Sequence, residues 1–98
     1  MAQRVIWSQE AAEDLEAIAE YIERDSPHYA AAVVEKIATL ARSLPMHPRM
    51  GRKVPEFDRD DLRERFVYSY RVIYQIRDES ITVVNVIHGR RLYPPETE

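Results

Sequence analysis

Tyr70-Arg71-Val72-Ile73-Tyr74-Gln75-Ile76 and Ile81-Thr82-Val83-Val84-Asn85-Val86-Ile87 are the two stretches that decide the fold. Both are dense in β-branched and aromatic residues, which suit a pleated and half-buried surface. Asp78-Glu79 lies between them, and a third strand-like run, Leu62–Tyr68, precedes them across Ser69. Connections this short predict an antiparallel meander of Leu62–Tyr68, Tyr70–Arg77 and Ser80–His88. The last run is apolar at odd and even positions alike, which predicts an interior strand.

Working back from the meander, residues 45–61 hold Pro45, Pro48, Gly51 and Pro55 among mixed charges and show no periodicity. Such a segment is either a functional loop or a crossover from helix to sheet. Before it, Ala30, Val33, Val34, Ile37, Leu40, Ala41 and Leu44 recur at helical spacing, as do Ala11, Leu15, Ile18 and Ile22. Ser8 and Ser26 are placed as N-caps of these two helices, and Pro27 suits a first helical position. Glu13, Glu16, Glu20 and Glu23 form a solvated acidic face on the first helix. Asp25-Ser26-Pro27 is a junction short enough for an antiparallel helical hairpin. Gln3–Trp7 reads as a strand that precedes the hairpin, and the tail from Leu92 to Glu98 is expected to fray. The order β-α-α-β-β-β predicts an α+β fold, with the antiparallel α-hairpin packed on one face of a mostly antiparallel sheet. All of it is expected within a single domain spanning 1–98.

Composition narrows the function classes. With 45% hydrophobic and 32% charged residues the chain resembles an ordinary globular protein. It has no cysteine, which excludes disulfides and thiolate metal sites. The opening Met1-Ala2-Gln3-Arg4 lacks the apolar run of a secretory signal, and no stretch approaches a membrane span, so a cytoplasmic location is expected. The net charge of −3 conceals an asymmetry: residues 1–44 carry four basic and eight acidic side chains, residues 45–98 ten and nine. The molecule therefore lacks the general basic field of a nucleic-acid binder, while a local basic surface is possible.

Period-2 alternation places Tyr70, Val72, Tyr74 and Ile76 toward the helices and Arg71, Ile73, Gln75 and Arg77 on an open face. Arg63 and Arg65 join Arg71 there if register permits, and Arg90 and Arg91 follow the last strand. Guanidinium groups clustered in this way suit phosphate or carboxylate recognition. The plainer reading pairs the arginines with Glu64, Asp58 or Asp61. His28 and His47 read as solvated, and His88 as a structural hydrogen-bonder or a proton donor. The three histidines show no metal-ligand spacing, and two glycines cannot build a phosphate-cradling loop.

Several segments in order resemble the RelE/ParE toxin superfamily. They are Trp7-Ser8, Asp14-Leu15, Tyr21-Ile22, Asp25-Ser26-Pro27, Pro48-Arg49-Met50-Gly51-Arg52, Tyr70-Arg71-Val72-Ile73-Tyr74 and His88-Gly89-Arg90-Arg91. The resemblance implies the toxin of a type II toxin–antitoxin pair, needing no cofactor and no metal, with an antitoxin whose C-terminal segment wraps it. RelE-like members cut mRNA on the ribosome. By resemblance Arg71, Arg91 and Tyr93 would then be catalytic, with Tyr93 closer to Arg91 than the family spacing. Arg63 and Arg65 fall near two RelE lysines once a gap is allowed. Arginine, with a pKa above about 12, is a poor general base. ParE-like members instead inhibit DNA gyrase, and the Trp-Ser opening, the Asp-Ser-Pro junction and the His-Gly-Arg-Arg ending look closer to them. Under that reading Arg63, Arg65, Arg71, Arg90 and Arg91 form a target-binding surface. A fold that has lost toxicity and binds only its antitoxin is a third reading.

Overall fold

The computed structural model describes residues 4–94. In chain order these form β1 (Arg4–Trp7), α1 (Gln9–Glu23), α2 (Pro27–Ser43), a 3-10 turn (Leu44–Met46), β2 (Arg52–Lys53), β3 (Leu62–Val67), β4 (Tyr70–Ile76) and β5 (Ser80–His88). The sheet order is β1-β5-β4-β3-β2. Every neighbouring pair is antiparallel except β1 with β5, where Arg4 to Trp7 lie beside Ser80 to Val83. The expected α+β architecture is therefore present, with β5 an interior strand, and β2 is an addition that the proline-rich segment concealed. Gln3, expected in the first strand, lies outside the described residues.

Both helices start where their caps place them. The Ser8 hydroxyl accepts from the Ala11 amide at 3.0 Å and donates to the Val84 carbonyl at 3.1 Å, so one side chain caps α1 and ties it to β5. Ser26 accepts from the Tyr29 amide at 3.1 Å, with Pro27 at the first position of α2. Ala11, Ile22, Ala30, Val33, Ile37 and Ala41 from the helices pack on Val67, Val72, Tyr74, Ile81, Val83 and Val86 from the sheet. Small residues at these helical positions let the backbones approach closely.

The face away from the helices is not open. Val54, Leu62, Ile73 and Ile87 form a second buried cluster there, with Val84 and Tyr93 packed against it. Residues 54–57, just past β2, and the segment after β5 fold back over this face. The tail expected to fray is thus anchored at Tyr93, whose ring also meets Phe57 edge-on at 5.8 Å between centroids. Pro95 to Glu98 lie outside the described residues.

Two local features set which side chain faces which core. Across the two-residue turn Tyr68-Ser69, Val67 pairs with Tyr70, Arg65 with Val72 and Arg63 with Tyr74. Directly paired residues share a face. Arg63 and Arg65 therefore lie on the helix side of the sheet, and the expectation that they join Arg71 fails on register. Glu64 and Phe66 take that place, opposite Ile73 and Arg71. In β5, Tyr74 pairs with Val83 and Ile73 with Asn85, which leaves Val84 as an extra residue in a bulge.

Candidate functional site

Arg71 lies near the start of the middle strand, β4, on the sheet face turned away from the helices, and its side chain is 4% exposed. Its Nε donates to Glu64 Oε1 at 2.7 Å, and its Nη2 lies 2.6 Å from the same oxygen. Nη1 and Nη2 donate to the two carboxylate oxygens of Glu56 at 3.0 and 2.8 Å, a forked pairing that suits the planar guanidinium. Nη1 also donates to the Arg91 carbonyl at 2.7 Å. Glu64 is wholly buried and takes a further bond from Arg52 Nε at 2.6 Å. Two arginines and two glutamates thus compensate one another, a condition for holding charge in a low-dielectric interior. The Arg71 guanidinium holds the Glu56 carboxyl down at about 2, assisted by the Tyr93 amide. The Arg71 pKa is itself raised, chiefly by its bond to Glu56.

The Glu56 carboxylate also organises the tail. It accepts from the Tyr93 amide at 2.9 Å, while the Tyr93 hydroxyl donates to Asn85 Oδ1 at 2.9 Å. Asn85 in turn donates to Glu10 at 2.6 Å and to Asp14 at 3.0 Å, and Asp14 accepts from the Val86 amide at 2.9 Å. Helix α1 thereby supplies partners to β5 beyond the point where β1 ends. Burial pushes the Tyr93 hydroxyl pKa up, and the charges of Glu10 and Asp14 add to this.

The segment from 45 to 61, left open between functional loop and crossover, is an ordered strap. The Tyr74 hydroxyl donates to the Pro48 carbonyl at 2.7 Å and accepts from the Gly51 amide at 3.1 Å. A Cβ on Gly51 would stand 2.5 Å from that hydroxyl and 2.6 Å from the Glu64 carbonyl, so glycine is required by close approach. Arg63 donates to the carbonyls of Arg49, Gly51 and Asp60 and to the Asp60 carboxylate, and so is a tie for the strap. Arg49 pairs with the same Asp60 carboxylate. Arg65 lines a groove between β3 and α2 together with Val67 and with Ala32, Lys36 and Leu40 of α2.

The remaining site residues follow β5. Arg90 and Arg91 are exposed, and among the described residues neither side chain makes an ion pair. His88 accepts from the Arg90 amide at 3.2 Å through Nδ1 and meets the Tyr70 ring edge-on, a structural role. His28 and His47 are exposed. Of the five arginines expected on one surface, Arg71, Arg90 and Arg91 are brought together around the tail, while Arg63 and Arg65 lie elsewhere. Sequence reasoning missed Glu56, Asp14 and Asn85, because they are paired through tertiary contacts with no spacing rule. Glu64 was legible as an arginine partner, but its place beside Arg71 follows from the observed register, which the expected grouping of Arg63 and Arg65 with Arg71 had reversed. Among the described residues no three His, Asp or Glu side chains converge as metal ligands do, and no helix is long and apolar enough to cross a membrane.

The family model of the ParE toxin of type II toxin–antitoxin systems, parDE, matches residues 5–93. The chain belongs to this family. The toxin is 36% identical to Toxin RelE2 of Caulobacter vibrioides over 93 residues, 94% of this chain and 100% of that one. Its fold is similar to that of a chain from the chromosomal ParDE system of P. aeruginosa, with a TM-score of 0.73 at 19% identity. That match covers 89% of the toxin and 96% of the other chain. A mutant of the E. coli toxin RelE in the free state is similar with a TM-score of 0.66 at 19% identity, covering 92% of the toxin and 86% of that chain. At these identities the two structures speak for the fold alone. The matched family model and the 36% relative make the chain a toxin of a type II system within the RelE/ParE superfamily.

Proposed function

We propose that the toxin inhibits DNA gyrase by binding it, with no catalytic group of its own, and that a cognate antitoxin neutralises it. The observation that carries this reading is the engagement of Arg71. A ribonuclease of the RelE type would need this guanidinium to grip the scissile phosphate and stabilise the charge that develops there. Here its hydrogen bonds run to Glu56, Glu64 and the Arg91 carbonyl, and a phosphate would have to displace a carboxylate from a buried site. Tyr93, the other group of that chemistry, donates its hydroxyl proton to Asn85 and is hard to ionise. Arg63 and Arg65 lie across the sheet from Arg71, and the net charge of −3 disfavours docking into ribosomal RNA. Of the three arginines gathered around the tail, Arg90 and Arg91 are the two left for recognition.

Purified toxin titrated into a gyrase supercoiling reaction is expected to stop supercoiling or to trap cleaved DNA. Supercoiling that persists over a broad concentration range, with primer extension showing cuts at A-site codons, would establish the RelE-like ribonuclease instead. Intact messages and active gyrase in cells that express folded toxin would leave antitoxin binding as its role.

A further inference from the structure

We infer that Glu56, acting through Arg71, is the positioning residue for the Arg90-Arg91-Leu92 turn, and that this turn meets a carboxylate-bearing, partly apolar surface of a protein target. The inference rests on the gyrase reading for the identity of that target, and on geometry for the rest.

Three anchors hold the segment after β5. Arg71 grips the Arg91 carbonyl at 2.7 Å, Glu56 accepts the Tyr93 amide at 2.9 Å, and Asn85 accepts the Tyr93 hydroxyl at 2.9 Å. The first two meet on one ion pair, because the Glu56 carboxylate that takes the Tyr93 amide also orients the guanidinium that takes the Arg91 carbonyl. Each anchor uses a main-chain group or the Tyr93 hydroxyl, so the Arg90, Arg91 and Leu92 side chains take no part in the anchoring and are exposed. Arg91 stands at the edge of a groove it shares with Ile18 and Tyr21 of α1. Leu92 is 66% exposed, and Phe66 (49%) and Phe57 (41%) are on the face the tail crosses. Gly89 lets the chain make this turn: a Cβ there would stand 2.9 Å from the Phe66 ring and 3.0 Å from the Ser69 carbonyl. Two arginines without an acidic partner among the described residues, set among exposed apolar side chains, complement an acidic protein surface. A fixed turn binds with less ordering cost than a free one.

The test uses the purified toxin and three variants: Glu56→Gln, the pair Arg90→Ala with Arg91→Ala, and the two combined. Glu56→Gln is expected to speed amide exchange at Tyr93 about tenfold, the effect of weakening one charge-assisted bond. It should also weaken gyrase inhibition severalfold, with the melting transition still cooperative. The arginine pair should weaken inhibition with an unchanged melting temperature, since the Arg91 carbonyl remains. The combination should be no worse than the arginine pair alone, because Glu56 acts through those side chains. Unchanged exchange at Tyr93, or losses that simply multiply, would overturn the inference. If Glu56→Gln does not fold, the arginine pair decides: inhibition unaffected by its loss overturns recognition by the turn. Wild-type toxin without effect on gyrase overturns the gyrase reading and the recognition half, and Tyr93 exchange still decides the anchoring half.

Discussion

Glu64 and Arg71 stand diagonally across β3 and β4, 2.7 Å apart, on the sheet face that the helices do not cover. The glutamate side chain has no exposure, and Arg71 and Arg52 are the cations that pair with it.

Arg71→Ala removes the main partner of a buried carboxylate and releases Glu56 as well. Breaking a buried pair from one side costs about 3–5 kcal/mol. Denaturant unfolding is expected to show a loss of that size. Combining it with Glu64→Leu should recover part of the loss, because the stranded charge goes too. A loss below about 1 kcal/mol, the worth of a surface pair, would contradict the buried-network account.

Acid should weaken the fold through Glu56. Its carboxyl sits at about 2 in the folded toxin against an ordinary 4.5, so its contribution is full above 4.5 and is lost as the pH falls toward 2. Asp61, held at about 2 chiefly by its bond to Arg59, titrates over a similar range. The comparison that isolates Glu56 is wild type against Glu56→Gln, followed by melting temperature between pH 6 and pH 2.5. The gap between them should narrow as the pH falls, and a constant gap would count against the clamp.

Two serines cap helices, but they are not equivalent. Ser26→Ala removes one capping bond and should cost about 1 kcal/mol. Ser8→Ala also leaves the Val84 carbonyl without its hydroxyl donor at the bulge, and should cost about 1–3 kcal/mol. Equal losses in chemical denaturation would show that the contact to β5 contributes nothing.

The strap can be loosened at one atom. Tyr74→Phe deletes the hydroxyl that joins Pro48 and Gly51, at a cost of about 1–3 kcal/mol. Limited proteolysis should then cut near residues 48–51 faster than in wild type. Gly51→Ala should be worse, since its methyl group would collide with main chain at Glu64 as well as with Tyr74.

The helices, the meander and the helix-facing set of β4 were readable from periodicity and caps, because those signals are local. The placement of Arg63 and Arg65 was not, since a turn of two residues decides face, and a slip of one residue exchanges the faces. Alternation put Arg71 away from the helices correctly, yet it could not show that Val54, Glu56 and Tyr93 return from distant segments to cover it. Glu56 has neighbours in sequence that explain none of its bonds. The bulge at Val84 was equally invisible, as Val84 and Asn85 fit a regular strand on composition alone.

The parallel pairing of β1 with β5 places Arg4 beside Ser80, so the first described strand waits for the last. During synthesis the N-terminal strand leaves the ribosome early with no partner, and the sheet cannot close until residues 80–83 have emerged. Contacts of such sequence separation form late and slowly. A nascent chain therefore carries its helices well before the sheet is complete, and the tail that covers Arg71 is made later still. The anchored turn around Arg91 and Tyr93 thus forms only after the strands on which it rests have been translated.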